Sequence, residues 1–396
     1  MTIMQTNQSN SEPVALLDVG RGNSPLRDEI LAAIADVYDS GRFLFGPAVS
    51  ELESTVATIC NTQTAVGCAS GSDALLLALM ANDIGPGDEV IVPSFTFFAT
   101  ASCVSRLGAK IVFADIDPKT YNISPAAIEA AITPRTRAII PVHLFGQSAA
   151  MDEIAKIGEK HSLAIIEDAA QAIGAAYHGR PVGSWGQCGC ISFYPTKNLG
   201  GIGDGGMLAT NSEKFADRVR LCASHGMRPR YYHSIVGINS RLDTIQATAL
   251  AIKIRHLGEY NAARRENAER YNTLFTDAGI ASGSDGADIQ LPYQDPAALH
   301  VWNQYSLRVT GGRRDSLRQF LADRKIGSEI YYPVPLHQQE CYADLGVKPG
   351  SLPETEKASQ EILHLPIYPE LTAQEQETVV RAVGEFLNAS RVSEAA

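Results

Sequence analysis

The sequence predicts an α/β fold with a large domain built on a mostly parallel sheet and a smaller C-terminal α/β domain. Its 396 residues exceed what one ordinary hydrophobic core serves, which suits two domains. Short apolar segments alternate with amphipathic helical patterns between residues 50 and 209. Such alternation is typical of parallel strands covered by helices on both faces. We expect a disordered tail at 1–14, a large domain at 15–262 and a small domain at 263–396.

The elements of the large domain follow from local signals. Residues 72–80 begin with capping residues and continue with strong helix formers. The Gly-Pro-Gly-Asp turn at 85–88 leads into an apolar strand. In chain order, the predicted strands are 89–93, 110–114, 138–142 and 163–168, and the helices between them include 125–131 and 151–161.

A second set of patterns predicts the small domain. A long helical stretch over 244–275, rich in Ala, Arg and Glu, carries the chain out of the large domain. Beyond it we expect a strand at 304–309, a helix at 314–324 and a closing helix at 374–387.

Composition excludes some classes of protein. Lys and Arg number 33 against 44 Asp and Glu, and the net charge of −11 disfavours a nucleic-acid-binding surface. The sequence contains no run of about 18 apolar residues, so we expect no membrane-spanning helix. The seven cysteines, an odd number scattered through apolar segments, suggest reduced thiols in a cytoplasmic protein. Cys188 and Cys190 are spaced wrongly for a metal site, so we interpret them as small buried hydrophobes and expect no metal.

Lys197 is the most informative residue. It stands between a short aromatic run and a stretch with five glycines, within residues 192–206, and no other cation is near it in the sequence. A lysine in such an apolar, tightly turned segment loses solvation, so its neutral, nucleophilic amine becomes accessible. That property suits a lysine that bonds covalently to a carbonyl group. The alternative is a surface lysine in a glycine loop.

Asp168 is the second unusual group, because it closes the apolar run 163–168. A carboxylate at the C-terminal end of a buried strand lies where open α/β sheets place their chemistry. A buried lysine, together with a carboxylate that holds a pyridinium proton, is the arrangement of pyridoxal 5′-phosphate enzymes. Taken alone, an aspartate at this position is more often one that caps a helix.

Three further segments suit a phosphorylated cofactor. The small residues at 69–73 precede a helix, whose free N–H groups bind anions, although an ordinary N-cap has the same sequence. Ser192 is a second candidate phosphate ligand. Phe97 follows a strand and can stack on a pyridine ring, or belong to a hydrophobic cluster. Gln171, which we expect one helical turn after Asp168, can reach the phenolic oxygen of the cofactor.

The motifs at 167–171, 192–206 and 237–243 together resemble the DegT/DnrJ/EryC1/StrS family of sugar aminotransferases. The resemblance extends from Leu17-Asp18 and Phe45-Gly46-Pro47 to the segments 332–337 and 365–369, in the order found in the family. It implies the aspartate-aminotransferase fold (fold type I of pyridoxal-phosphate enzymes), with a seven-stranded sheet. It also implies a homodimer with shared active sites.

The resemblance implies a role for each matching residue. Lys197 would bind the cofactor covalently, and Asp168 would pair with its pyridine nitrogen. The remaining cofactor-binding positions would be Gly71, Ser72 and Ser192 at the phosphate, Asn239 reaching it from the partner subunit, Phe97 stacking on the ring, and Gln171 at the phenolic oxygen. Because the chain keeps lysine at position 197, where a dehydrating branch has histidine, transamination is favoured, with glutamate as the donor by analogy.

The acceptor implied is a nucleotide-linked keto-sugar. The segment 225–233 is the best candidate to hold it, since it concentrates side chains that suit phosphate, carboxylate and sugar groups. A solvated polar loop is the alternative. The substrate residues predicted are Arg228, Arg230, Tyr231 and His233 there, with Tyr332 and His337 closing the pocket from the small domain. The segment looks most like the branch acting on a UDP-linked 3-keto hexuronic acid; a 4-keto-6-deoxy sugar is the alternative.

Two other functions compete. One is another pyridoxal-phosphate reaction on the same fold, such as that of a glycine-cleaving lyase or a cysteine desulfurase. A desulfurase needs a mobile catalytic cysteine in a late loop, and the only late cysteine, Cys341, follows residues 338–340 in a segment that resembles the sugar aminotransferases, which disfavours this activity. The other is a regulator or sensor that keeps the fold without turnover; the intact set of Lys197, Asp168 and Ser192 argues against it.

Overall fold

The computed structural model describes residues 12–280 and 288–394. Its α-helices are α1 Val19–Asn23, α2 Arg27–Ser40, α3 Pro47–Cys60, α4 Gly71–Ala81, α5 Ala99–Arg106, α6 Pro125–Ala131, α7 Met151–His161, α8 Glu213–Ala223, α9 Thr244–Lys253, α10 Leu257–Asp277, α11 Arg314–Asp323, α12 Pro353–Glu361 and α13 Ala373–Glu394. Its strands are β1 Thr64–Cys68, β2 Glu89–Pro93, β3 Lys110–Ala114, β4 Thr136–Ile139, β5 Ala164–Asp168, β6 Ala176–Tyr177, β7 Arg180–Pro181, β8 Cys188–Ser192, β9 Gly206–Thr210, β10 Ile289–Gln290, β11 Ala298–Leu299, β12 Tyr305–Val309 and β13 Ile362–Leu365.

A seven-stranded sheet forms the centre of the large domain. Its order is β1-β9-β8-β5-β4-β2-β3. Strand β9 runs antiparallel to both of its neighbours, and the other pairings are parallel. The predicted α/β fold with a mostly parallel seven-stranded sheet is confirmed. A smaller three-stranded sheet, β11-β6-β7, lies beside it.

Helices cover both faces of this sheet, which is why its strands read as continuous apolar runs. All five residues of β8 are buried, and so are all five of β2. Successive residues of a strand point to opposite faces. Cys190 accordingly packs in the core formed with α4, α5 and α8, whereas Ile191 packs in the core formed with α3 and α9. Cys188 and Cys190 are thus buried hydrophobes, as predicted.

The small domain is built on a three-stranded antiparallel sheet, β10-β12-β13. Helices α10, α11 and α13 share a core with this sheet. The predicted single helical stretch 244–275 is two helices, α9 and α10, joined by a 3₁₀ turn at Ile254–His256. The predicted boundary between 262 and 263 falls inside α10, and its position stays a prediction.

The N-terminal segment packs on the small domain. Residues 1–11 of the predicted tail lie outside the described part of the chain. Val14, however, is buried, its N–H donates to the carbonyl of Lys325 (3.0 Å), and its own carbonyl accepts from Gly327 N (2.8 Å). The prediction of a disordered tail was therefore wrong at Val14. Among residues 12–280 and 288–394, each helix is too short or too polar to cross a membrane.

Candidate active site

The candidate site lies where strands β5 and β8 end. Asp168 is the last residue of β5 and Ser192 is the last of β8, and the two strands are parallel neighbours in the sheet. Their carboxyl ends therefore meet at one edge of the sheet, as expected for chemistry in an open α/β fold. The lysine loop, which we define as residues 193–201, follows directly after β8.

Asp168 is a buried carboxylate with two hydrogen-bond donors. Its side chain is only 5% exposed. Thr100 Oγ1 donates to Oδ2 (2.8 Å), and Ala170 N donates to Oδ1 (3.2 Å). Burial raises the pKa of Asp168, while these two donors and the positive charge of Lys197 oppose the rise. The opposing groups favour an ionised carboxylate at this edge of the sheet.

Lys197 lies in a desolvated position near that carboxylate. Its backbone N–H donates to the carbonyl of Tyr194 (2.9 Å), which closes a tight turn, and its side chain is half-buried. Desolvation lowers the pKa of Lys197 to about 8, against the opposing attraction of Asp168. A substantial fraction of the amine is therefore neutral, and hence nucleophilic, near physiological pH.

Ser192 and the start of α4 form a cradle for an anion. Ser70, not Ser72, is the N-cap of α4: its hydroxyl accepts from Asp73 N. Gly71 and Ser72 thus occupy the first two helical positions, where N–H groups have no intrahelical acceptor. A Cβ on Gly71 would lie 2.7 Å from Cβ of Ser192, so only glycine allows this close approach. Small residues and free N–H groups at a helix start suit a phosphate.

An aromatic and an amide side chain flank the same region. Phe97 is 58% exposed, and its ring centroid lies 6.3 Å from that of Tyr332. Gln171 lies in a turn rather than on a helix, contrary to prediction. Its Oε1 accepts from Phe145 N (2.6 Å), and its Nε2 donates to the hydroxyl of Tyr332 (3.3 Å). The structure therefore brings Phe97, Gln171 and Tyr332 together.

His337 does not face an open pocket. Its side chain is buried, Nδ1 lies 2.7 Å from Ser94 Oγ, and Nε2 lies 3.2 Å from Glu356 Oε1. Both ring nitrogens are thus engaged, so the prediction that His337 contacts substrate is corrected. The residue instead fastens this loop of the small domain to Ser94, directly after β2.

The predicted sugar-binding segment 225–233 is exposed, but one of its arginines is engaged. The guanidinium of Arg228 forms two hydrogen bonds with the carboxylate of Asp217 (2.6 and 2.7 Å), and its assignment to substrate stays a prediction. Arg230 lies 4.9 Å from the ring centroid of Tyr231, which is 72% exposed. His233 Nδ1 donates to the carbonyl of His225 (2.9 Å). Arg230 and Tyr231 thus remain the available pair.

Asn239 lies beyond the end of this segment. Its side chain is exposed, and its backbone forms a β-bridge with Ser224.

Sequence reasoning missed three buried groups beneath Asp168. Thr100, described above, is one; the others are His143 and Glu167, both fully buried. Ala149 N donates to His143 Nδ1, so the ring proton is on Nε2, which donates to Glu167 Oε2 (3.0 Å). Glu167 also accepts from three backbone N–H groups of the loop 183–186. The one sequence signal for Glu167 was its position directly before Asp168.

These residues fit pyridoxal 5′-phosphate. The cradle of Gly71, Ser72 and Ser192 suits its phosphate, Asp168 suits its protonated ring nitrogen, and Lys197 suits its aldehyde carbon. The fold and this site define a pyridoxal-phosphate enzyme of fold type I.

Comparison with known proteins identifies the family. The model of the DegT/DnrJ/EryC1/StrS aminotransferase family matches residues 25–384, and the chain belongs to this family. A "pleiotropic regulatory protein" of Geobacillus stearothermophilus is 46% identical over 94% of this chain and 98% of its own length. A UDP-N-acetyl-3-dehydro-alpha-D-glucosamine 3-aminotransferase of Acidithiobacillus ferrooxidans is 43% identical over 95% and 98%, respectively.

Solved structures agree with this assignment. DesV of S. venezuelae superimposes with a TM-score of 0.90, at 42% identity, covering 95% of this chain and 99% of DesV. NtdA of Bacillus subtilis, solved with bound cofactor PMP, gives a TM-score of 0.85 at 31% identity, covering 95% of this chain and 86% of NtdA. The predicted family, fold type, pyridoxal-phosphate dependence and class of enzyme, a sugar aminotransferase, are confirmed.

Proposed function

We propose that this enzyme moves an amino group from glutamate to carbon 3 of a nucleotide-linked keto-sugar, with a UDP-linked 3-keto hexuronic acid as the best candidate. The pairing of a desolvated Lys197 with a buried, hydrogen-bonded Asp168 carries the catalytic part of the proposal. When bound, pyridoxal phosphate supplies the electron sink for transamination.

Each residue of the site has a defined task in this proposal. Lys197 would hold the aldehyde carbon of the cofactor, and its amine, when free, would carry the proton that transamination moves. Its pKa of about 8 lets it both accept and release that proton near neutral pH. Asp168, whose charged form the Thr100 hydrogen bond favours, would hold the proton of the ring nitrogen. Ser192, Gly71 and Ser72 would bind the phosphate, and Phe97 would stack on the ring.

The position of the amine is supported by the names of relatives. The Acidithiobacillus protein acts at carbon 3 by its name. A UDP-2-acetamido-2-deoxy-3-oxo-D-glucuronate aminotransferase of Pseudomonas aeruginosa is 40% identical, and a dTDP-3-amino-3,4,6-trideoxy-alpha-D-glucose transaminase of Streptomyces venezuelae is 42% identical. A GDP-perosamine synthase of Caulobacter vibrioides, at 36%, is less similar. A 4-keto-6-deoxy sugar therefore stays the second candidate.

Arg230 is the residue we assign to the carboxylate of a hexuronic acid. Its guanidinium has no carboxylate partner among the described residues, unlike that of Arg228, and it is exposed beside Tyr231. A guanidinium binds a carboxylate through two parallel hydrogen bonds. The nearby tyrosine ring can pack against the sugar.

The test measures KM for two acceptor sugars, one with a carboxylate and one without, in the wild-type enzyme and in Arg230→Ala. We expect the variant to raise KM for the UDP-linked 3-keto uronate about tenfold or more, and to leave KM for the neutral 3-keto hexose nearly unchanged, because only the uronate loses a charged partner. Arg106→Ala, which removes an exposed arginine at the end of α5 and outside the segment 225–233, is the control. Equal effects on both acceptors would contradict the assignment of Arg230 to the carboxylate.

We also propose that the enzyme is a homodimer, with Asn239 of one subunit completing the phosphate site of the other. An exposed apolar surface supports an interface: Phe45 is 71% exposed and Val236 is 92% exposed. The segments that carry these two residues meet where Leu44 forms a β-bridge with Asp243. Exposed apolar patches of this kind mark association surfaces.

Mixing two inactive variants tests the shared site. Lys197→Ala and Asn239→Ala dimers, each with little activity, should regain about a quarter of wild-type activity after subunit exchange, because half of the randomly mixed dimers contain one intact site of two. No recovery despite proven exchange would contradict a shared site.

The seven free thiols support a cytoplasmic location, which we also propose.

A further inference from the structure

The residue that follows Lys197 is held on three sides by buried amide hydrogen bonds. Asn198 Nδ2 donates to Asn261 Oδ1 (2.8 Å) and to the carbonyl of Val301 (2.9 Å). Its Oδ1 accepts from Asn303 Nδ2 (2.9 Å). The three asparagine side chains are each 4–7% exposed. Water is therefore a poor substitute for any of these bonds, and each is costly to lose.

These hydrogen bonds link Asn303, Asn198 and Asn261 into a row that we call the amide chain, and it continues to the segment that follows Asp168. Asn261, on α10, donates from Nδ2 to the carbonyl of Ile173 (3.1 Å). Gly174 makes this approach feasible, because a Cβ there would lie 2.7 Å from Asn261 Nδ2 and the residue has φ +83°. The bonds run in one direction, from Asn303 through Asn198 and Asn261 to Ile173, so donors and acceptors alternate consistently.

The other end of the chain leads to the small domain. Asn303 lies two residues before β12, the central strand of the small-domain sheet. The same segment is fastened to the large domain, since Val301 N donates to the carbonyl of Gly146 (3.0 Å). The amide chain thus joins the entry to the small domain, the lysine loop and the turn that carries Gln171.

We propose that Asn198, Asn261 and Asn303 are positioning residues that hold Lys197 in register with Asp168 and tie the lysine loop to the small domain. A fully satisfied buried network specifies one arrangement of its members. A displacement of about 1 Å at a reacting group can cost about 100-fold in rate. The inference rests on the aminotransferase activity only for its kinetic readout.

A second anchor keeps the loop folded when the amide chain is cut. Lys253, at the end of α9, donates from Nζ to the carbonyl of Gly200 (2.5 Å) and is buried. We therefore expect a cut in the amide chain to loosen and hydrate Lys197 rather than unfold the loop.

Two variants and one matched control test the proposal. Asn303→Ala removes one donor to Asn198, and Asn261→Ala removes an acceptor from Asn198 and the link to Ile173. Asn267→Ala is the control: it lies on α10, as Asn261 does, is equally buried, and donates to the carbonyl of Tyr368 (2.9 Å) rather than to a member of the amide chain. Thermal unfolding first compares the stability of the variants. Should Asn261→Ala not fold, Asn303→Ala carries the test.

The decisive readout needs no substrate. Acetylation of Lys197 in the full-length, cofactor-free protein is followed against pH by peptide mass spectrometry, which gives the pKa of Lys197. We expect an increase of about one unit in Asn303→Ala and Asn261→Ala, because hydration favours the charged amine. We expect no change in Asn267→Ala. In the holoenzyme, kcat should fall about tenfold or more in the first two variants, with KM nearly unchanged.

Equal effects in all three variants would show a general loss of stability and overturn the proposal. An unchanged pKa of Lys197 in a folded Asn303→Ala would also overturn it. Because acetylation is independent of the acceptor sugar, failure here is distinguishable from a wrong substrate assignment.

Discussion

The hydroxyl of Thr100 donates a 2.8 Å hydrogen bond to the carboxylate of Asp168, although the two residues lie 68 positions apart in the chain. Thr100 stands in the first turn of α5, and Asp168 ends β5. The bond stabilises the charged form of a carboxylate whose pKa is raised by burial. The ability of Asp168 to hold a ring-nitrogen proton therefore depends on Thr100.

Replacing Thr100 by valine should move the acid limb of the pH–rate profile. Loss of the donor raises the pKa of Asp168, and a hydrogen bond to a charged group contributes about 1.5–3 kcal/mol, or roughly 1–2 pKa units. Activity should therefore begin to fall at a correspondingly higher pH. Thr96→Val, which touches Thr100 but not Asp168, should move the profile less. Profiles of kcat/KM against pH that coincide for wild type and Thr100→Val would refute this role.

Capture of pyridoxal phosphate by the cofactor-free protein should depend on the pKa of Lys197. The neutral amine is the nucleophile, so the rate should rise about tenfold per pH unit below pH 8 and level off above it. In Asp168→Asn the plateau should begin at lower pH, because the carboxylate raises the pKa of Lys197. Growth of the visible absorption band of the bound cofactor measures the rate. A plateau that begins only near pH 10 would contradict desolvation of this lysine.

Gly71→Ala should weaken cofactor binding about tenfold or more. The added Cβ would lie 2.7 Å from Ser192 Cβ, and such overpacking costs about 1–3 kcal/mol. Gly85→Ala is the control, since no atom lies within 4 Å of the added carbon. Equilibrium titration with pyridoxal phosphate compares the two. Equal Kd values in both variants would argue against a phosphate cradle at the start of α4.

Glu89→Gln should lower the free energy of unfolding at pH 7 by about 1–3 kcal/mol. Hydrogen bonds from Thr133, Arg135 and Lys110 lower the pKa of the buried Glu89 to about 2, against 4.5 unfolded, and the exposure of both cations reduces their contribution. The stabilisation is fully present above pH 4.5 and is lost as pH falls toward 2. The free energies of unfolding of wild type and variant, measured by urea denaturation, should therefore differ at pH 7 and converge near pH 2–3. Asp28→Asn is the control: it removes an ion pair between exposed side chains and should have little effect at either pH. A constant difference across this pH range would contradict the assigned pKa.

The sequence allowed prediction of those parts of the site whose chemistry is local. Lys197 stands in a distinctive glycine-rich segment, and Asp168 closes an apolar strand, so both were predictable from their neighbours. Thr100 and the Asn198–Asn303 bond were not, because their partners are 68 and 105 residues away. His337 and Arg228 were assigned to substrate for the same reason. His337 contacts Glu356 and Arg228 contacts Asp217, and both contacts depend on tertiary packing.

The same distinction applies to the fold. Helices α6 and α7 were predicted with their observed bounds, because proline, capping and amphipathic signals are local. The division of 244–275 at Ile254–His256 was not predicted, because good helix formers continue through it. Val14 was placed in a tail because its pairing with the segment around Ile326 depends on a contact across the whole chain.

One measurement tests the central claim, that this protein transfers an amino group to a nucleotide-linked 3-keto sugar. Purified holoenzyme is mixed with glutamate while the visible absorption band of the Lys197-bound cofactor is followed, and UDP- and dTDP-linked keto-sugars are then added one at a time. We predict that glutamate removes the band, that the UDP-linked 3-keto uronate restores it fastest, and that Lys197→Ala lacks it throughout. A band that glutamate leaves unchanged, or one that no keto-sugar restores, would contradict the claim and favour a regulator that keeps the fold without turnover.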